Sequence, residues 1–223
     1  MEGKTIAREL NAITDDVLLK EQKNYLVLKR GLDIIGSLVG LIILSILFLI
    51  IGFLIKIEDR HGSVFFKQTR IGKNGKVFNM YKFRSMVSNA EELKATLMDR
   101  NEASGPVFKI KEDPRVTRIG KFIRKTSIDE LPQFINVLKG EMSLVGPRPP
   151  LPQEVAAYNS YEMQRLKVVP GITCYWQVSG RSNIGFNEWV ELDLKYIRER
   201  NIFLDLKLIL KTFLVLFGSK DAY

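Results

Sequence analysis

Thr126-Ser127-Ile128-Asp129-Glu130-Leu131-Pro132-Gln133-Phe134-Ile135-Asn136-Val137-Leu138-Lys139-Gly140-Glu141-Met142-Ser143-Leu144-Val145-Gly146-Pro147-Arg148-Pro149-Pro150 is the stretch on which the reading of this chain turns. Leu131, Phe134, Ile135, Val137 and Leu138 recur at the spacing of a short amphipathic helix. Pro132 fits in its first turn, where a missing N–H does no harm. Asp129 then stands at or beside the N-cap, close to free N–H groups and the positive end of the helix dipole. Such a position keeps a carboxylate ionised and also accepts a phosphate. Neighbouring helical residues project about 100° apart, so one carboxylate is free to attack while the other holds a metal ion or a proton. Gly140 ends the helix, and Gly146 to Pro150 form a stiff turn carrying one guanidinium, that of Arg148. Ser127-x-x-Glu130 also has the form of a capping box. Taken alone, the two acids read as a cap sooner than as catalysts.

The chain has 223 residues and is 46% hydrophobic, enough for one domain plus an anchor. Its net charge of +9 calls for an anionic partner. No zinc-ligand spacing or recognition-helix signature supports nucleic acid. The basic residues flank apolar segments, which suits membrane phospholipid and phosphorylated substrates better. The single Cys174 excludes an internal disulfide and agrees with a reducing cytosolic face. With one histidine, His61, far away in sequence, Cys174 reads as a packed thiol and a zinc site is not indicated.

From Ile34 to Ile55 no residue carries a charge, about 33 Å of continuous helix and long enough for a bilayer. Lys29 and Arg30 precede the run, and Lys56, Arg60, Lys67 and Arg70 follow it. Cations on both flanks give the positive-inside rule no winner for a spanning helix. A helix that enters, turns and leaves on one side satisfies both. Ser45 can release a backbone carbonyl near the middle, and Gly36 and Gly40 are expected to loosen the first half. Residues 1–28 form an N-terminal tail, either amphipathic or partly ordered; residues 29–57 are the anchor, and residues 58–223 the main domain.

Ser63–Gln68 and Val77–Phe83 read as two strands of a hairpin. In Tyr81-Lys82-Phe83-Arg84 aromatic and basic residues alternate. Asn89–Arg100 reads as a capped polar helix, and Arg115, Arg118, Lys121, Arg124 and Lys125 as a basic helical stripe facing solvent or lipid phosphate. Pro152–Lys167 and Asn187–Arg200 read as helices. Ser179–Asn183 is a loop offering backbone N–H groups and Arg181. Phe203–Phe217 suits an interfacial helix, with a core helix as the nearly equal alternative. Short strands among these helices make the chain α+β, a small membrane-anchored domain with interfacial helices.

Four blocks resemble the monotopic phosphoglycosyl transferases, the bacterial enzymes that load sugar phosphates onto polyprenyl phosphate. They are K-R-G-L-D from Lys29, F-N-M-Y-K-F-R-S-M from Phe78, S-I-D-E-L-P-Q-F-I-N-V-L-K-G-E-M-S-L-V-G-P-R-P from Ser127 and P-G-I-T-C-Y-W-Q-V-S-G-R from Pro170. The match runs from about Lys29 to Thr212, and the third block is too long for coincidence. The resemblance implies transfer of a sugar 1-phosphate from a UDP-sugar to undecaprenyl phosphate with release of UMP, the first membrane step of capsule, O-antigen or exopolysaccharide assembly. It implies Asp129 as the nucleophile and Glu130 as the holder of Mg2+, with Asp129 a second candidate ligand. Lys82, Arg84 and Arg148 would meet phosphate oxygens, and Arg181 the nucleotide or the polyprenyl phosphate. Asp205 matches a recurrent family carboxylate, expected to orient Lys82 or Arg148 through a salt bridge. A re-entrant anchor on the cytoplasmic face of the bacterial inner membrane is implied too, although the family's usual proline is replaced here by Leu44-Ser45-Ile46. Self-pairing as a homodimer stays open. With no large extra domain evident, the chain reads as a minimal transferase. The rival class is a non-enzymatic membrane adaptor that docks through its basic face.

Overall fold

The computed structural model describes residues 23–102, 110, 112–179 and 185–218. The first helix among the described residues, α1 (Lys23–Ile43), includes the end of the segment read as a tail, and α2 (Ser45–Glu58) follows after Leu44. The two are bent by 59° at this break, and among the described residues no single helix is long and apolar enough to cross a membrane. The Ser45 hydroxyl donates to the Ile42 carbonyl at 2.9 Å. A side chain drawing on the carbonyl ladder is one of the known causes of a bend, and it acts here without proline. Gly36 and Gly40 do not loosen α1, which runs unbroken through both. They admit close packing instead: a Cβ at Gly36 would lie 2.7 Å from Leu144, and one at Gly40 would lie 3.0 Å from Phe134. Around the bend Ile42, Ile43, Ile46 and Leu49 are at least 70% exposed.

The expected hairpin forms, with its first strand shifted from Ser63–Gln68 to β1 (Phe65–Ile71), antiparallel to β2 (Val77–Phe83) with Gln68 opposite Met80. Period-two alternation gives β2 two distinct faces. Phe78 and Met80 pack with Val137 and Met142, and Lys82 follows them on the same face. Phe83 points the other way, into a cluster with Ile51 and Ile55 of α2 and Ile123. The hairpin is thus wedged between the bent helix pair and the segment that carries Asp129.

Beyond it lie α3 (Ala90–Lys94), α4 (Arg118–Lys125), α5 (Gln133–Lys139) and β3 (Ser143–Val145). Asn89 makes no side-chain cap, and a 3-10 segment, Ala95–Arg100, continues α3, so the capped helix expected there is shorter and uncapped. The expected basic stripe is also interrupted. Arg115 lies ahead of α4, buried in a forked ion pair with Asp113 (2.6 Å), and Arg124 donates to Ser85 (2.9 Å). Gly140 ends α5 in the left-handed region, φ 77°, where glycine carries no Cβ penalty.

Pro152–Lys167 divides into α6 (Pro152–Ala156), α7 (Ser160–Met163) and a 3-10 turn, because Asn159 restarts the chain by capping the N–H groups of Tyr161 and Glu162. A short strand, β4 (Gly171–Thr173), pairs in parallel with β3 and precedes α8 (Tyr175–Val178). The last helices are α9 (Phe186–Glu199) and α10 (Ile202–Gly218). Val145, Val168, Cys174, Val190, Leu194, Tyr196 and Leu208 form the largest core cluster. Cys174 is fully buried there, and burial pushes its thiol well above the ordinary range, as a packed residue requires. α10 divides its faces: Asp205 and Leu208 turn inward, while Phe203, Leu210, Phe213 and Leu214 stand exposed.

Candidate active site

Asp129 and Glu130 sit in a tight 3-10 turn, Ile128–Glu130, between α4 and α5. Ser127 enters it with φ 56° and makes no side-chain cap, so neither the capping box nor an N-cap at Asp129 is formed. Pro132 occupies the N-cap of α5 instead. The turn buries Asp129 to 8% exposure, and this desolvation pushes its carboxyl up to about 6. Lys82 acts against the rise and Glu130 adds to it. Asp129 therefore does not hold the N-cap position from which a helix dipole is expected to favour its charge, and burial raises its carboxyl instead. Glu130 differs: its side chain is 40% exposed, and Lys82 Nζ lies 2.7 Å from its Oε1. Lys82 reaches it because it continues the β2 face that packs on α5. Two adjacent carboxylates thus have different environments, one withdrawn and one open beside a cation.

Arg148 lies in the extended turn after β3. Its Nη1 stands 3.4 Å from both oxygens of Glu154, and its guanidinium covers one Trp189 face at 5.1 Å. Arg165 also stacks on Trp189, at 5.0 Å, and is itself bound to buried Asp193 at 2.7 Å. Long contacts to Glu154 and a stacked plane leave Arg148 oriented but not consumed by a short ion pair. A residue that sequence reasoning missed supports this turn. Arg70, at the end of β1 and 4% exposed, donates to the Pro149 carbonyl at 2.8 Å. Burial and then the neighbouring charge of Arg148 push its pKa down to about 9, with Glu154 and Glu130 acting in the opposite sense. The signal available in sequence was a cation in an otherwise inward-facing part of the hairpin, beside Ile71.

The remaining sequence candidates are placed elsewhere. Arg84 is paired with Asp59 at the exit of α2 (2.6 Å), and also donates to the Asp59 carbonyl. Asp205 bonds neither Lys82 nor Arg148. It is fully buried and takes Lys29 at 2.8 Å, Tyr196 at 2.8 Å and Tyr25 at 3.0 Å. The expected orienting bridge is thus replaced by one to α1, because α10 packs its inner face against that helix. Arg181 lies outside the described residues.

Among the described residues no group of three or more His, Cys, Asp or Glu side chains converges as a metal cage. Mg2+ does not need one, since it commonly uses one or two carboxylates, waters and substrate phosphates. The open Glu130 carboxylate with Asp129 beside it is a donor set of that kind, and it fits.

Residues 24–219 match the model of a family described as bacterial sugar transferase. Over 199 residues the chain is 52% identical to galactosyl transferase CpsE of Streptococcus agalactiae serotype III, covering 88% of this chain and 44% of CpsE. It is 41% identical over 204 residues to the undecaprenyl-phosphate galactose phosphotransferase of Salmonella typhimurium, covering 88% of this chain and 42% of that protein. It is 39% identical over 199 residues to the exopolysaccharide production protein ExoY of Rhizobium meliloti, covering 87% of this chain and 88% of ExoY. The chain therefore spans less than half of the first two relatives and most of the third. With one family model matching nearly its whole described length, the chain belongs to the bacterial sugar transferases.

Proposed function

We propose that this protein transfers a sugar 1-phosphate from a UDP-sugar to undecaprenyl phosphate at the cytoplasmic face of a bacterial membrane. The observation that carries the reading is the contrast within the acidic pair: Asp129 is withdrawn from water while Glu130 stands open beside Lys82. Names of relatives that specify a galactosyl transferase and an undecaprenyl-phosphate phosphotransferase support the substrates.

In the first step an Asp129 carboxylate oxygen attacks the phosphorus that bears the sugar. A new O–P bond forms as the P–O bond to UMP breaks, and UMP leaves with the electron pair. In the second, a phosphate oxygen of undecaprenyl phosphate displaces Asp129 from that phosphorus and regenerates the carboxylate. Partial desolvation makes the Asp129 carboxylate the stronger nucleophile once ionised, and Lys82 favours its ionised form. Lys82 and Arg148 meet phosphate oxygens, where fixed cations offset the charge repulsion that an anionic nucleophile faces. Arg70 holds the backbone beside Arg148. Glu130, with Asp129, would hold Mg2+, which supplies further neutralisation of the diphosphate when bound.

The bent pair α1–α2 enters the bilayer as a re-entrant helix. Its exposed apolar residues around Leu44 favour lipid over water, at about 25 cal/mol for each Å2 removed from water. The exposed face of α10 rests on the phospholipid surface. A panel of UDP-sugars beginning with UDP-galactose, assayed with undecaprenyl phosphate in phospholipid nanodiscs, tests the activity. UMP release with one of them is expected. Failure with the whole panel would favour the non-enzymatic membrane adaptor.

A further inference from the structure

The Asp129 turn is held between α4 and α5, and each of these helices is bonded at its outer end by one arm of the bent pair. Ahead of the turn, the Glu58 carboxylate at the end of α2 accepts from the N–H groups of Arg118 (2.7 Å) and Ile119 (3.0 Å), the first residues of α4. Behind it, the Arg30 guanidinium of α1 donates to the carbonyls of Val137 and Leu138, both at 2.7 Å, in the last turn of α5. An anion at a helix start and a cation at a helix end satisfy orphan backbone groups and match both ends of the dipole. The internal backbone bonds of the turn, Glu130 N to Ser127 O and Leu131 N to Ile128 O, are each 3.2 Å, and Ser127 is left-handed without a side-chain cap.

We infer that Glu58 and Arg30 are positioning residues for Asp129, so that the angle between α1 and α2 sets where the nucleophile sits. The inference rests on the reading of Asp129 as nucleophile. Glu58 and Arg30 lie on opposite sides of the 59° break. A change in that angle displaces the start of α4 relative to the end of α5, and the short turn between them absorbs the difference. Lys82 on β2 and Arg148 after β3 receive no bond from either clamp residue, so these two phosphate contacts stay in place while Glu130, in the same turn, moves with Asp129. Misplacement by about 1 Å can cost on the order of a hundredfold in rate.

The test uses the full chain in phospholipid nanodiscs, the UDP-sugar that the wild type turns over fastest in the panel, and Mg2+, with no polyprenyl phosphate. A single-turnover measurement gives the rate constant for UMP release and the half-saturating UDP-sugar concentration. Arg30→Ala and Glu58→Gln are each expected to slow the rate constant by roughly tenfold or more, with half-saturation at saturating Mg2+ changed by a clearly smaller factor than the rate constant. Arg30→Lys should recover part of the loss, since one ammonium reaches one carbonyl in place of two. Lys56→Ala removes a cation from the same flank, where Nζ bonds only the Arg60 carbonyl at 3.1 Å, and should leave both values unchanged. Unchanged rate constants in Arg30→Ala and Glu58→Gln would overturn the inference. So would a raised half-saturation at constant rate, or an equal loss in Lys56→Ala, which would trace the effect to membrane charge. If Arg30→Ala does not fold, Arg30→Lys and Glu58→Gln carry the same comparison. A wild type that turns over with lipid but releases no UMP without it overturns the nucleophile reading and this inference together. A wild type that releases UMP while the variants match it overturns this inference alone.

Discussion

Lys29 and Asp205, 176 residues apart, meet in an ion pair of 2.8 Å at the junction of α1 and α10. Asp205 is fully buried, and Tyr25 and Tyr196 complete its hydrogen bonds, while Lys29 also donates to the Val145 carbonyl. Removing one partner of such a pair strands a charge without water, which typically costs about 3–5 kcal/mol. Asp205→Ala should therefore lose about that much stability in detergent unfolding. The pair Lys29→Met with Asp205→Leu should recover a large part of it. A loss below about 1 kcal/mol in Asp205→Ala would show that the pair does not bolt the anchor to the domain.

The elevated Asp129 carboxyl has a definite sign for stability. Its proton is held up to about 6 in the folded protein but is released near the ordinary aspartate value of 3.8 when unfolded. Between these values the folded state binds more protons at this group, so the contribution of Asp129 to stability is highest below about 4 and falls as pH rises through 6. In metal-free buffer, the stability difference between Asp129→Asn and the detergent-solubilised wild type, read by urea unfolding, should grow from near zero below pH 4 to roughly 1–3 kcal/mol in favour of the variant at pH 7. Destabilisation by Asp129→Asn would argue that the carboxylate is a structural cap.

Much of this was legible from periodicity. The apolar run, the β1–β2 hairpin, α9 and α10 all follow from spacing alone. The helix after the acidic pair was legible as well, with Gly140 at its end. What was missed depends on partners distant in sequence. Ser127-x-x-Glu130 has the letters of a capping box, yet a left-handed Ser127 turns the pair into a buried loop. Asp205 carries no local sign of which cation it takes, and α1 supplies Lys29 from 176 residues away. Arg70 reads as one more flanking cation until the hairpin places it under Pro149. The strands β3 and β4 are three residues each and pair across the chain, too short for any period to register.

The bend at Leu44 makes proline acceptable just beyond it. Ile46 lies in the first turn of α2, where a missing N–H and a fixed φ cost little. Ile46→Pro should keep membrane-bound protein near the wild-type amount. Phe53→Pro, in the middle of α2, should lose about 3 kcal/mol. Equal loss from both, read from membrane yield and thermal unfolding, would mean that the break does not relieve the helix.

Arg148 is stacked on Trp189 with only long contacts to Glu154, which leaves its fork of donors for phosphate oxygens. Lysine presents a point charge and cannot reproduce that fork. Arg148→Lys should reduce turnover by about tenfold or more, the equivalent of a transition-state contact of roughly 1.4 kcal/mol. Turnover near wild type would return Arg148 to a purely structural role in the turn.

The most direct measurement is the mass of the peptide containing Asp129 after incubation with UDP-sugar and Mg2+ in the absence of polyprenyl phosphate. The account predicts up to one equivalent of UMP and one sugar phosphate added at Asp129. Asp129→Asn should give neither, and Glu130→Gln should still give the Asp129 adduct, more slowly and with weakened Mg2+ dependence. An adduct on Glu130, or UMP released only when the lipid acceptor is present, would contradict it, and the second result would establish direct displacement between the two substrates.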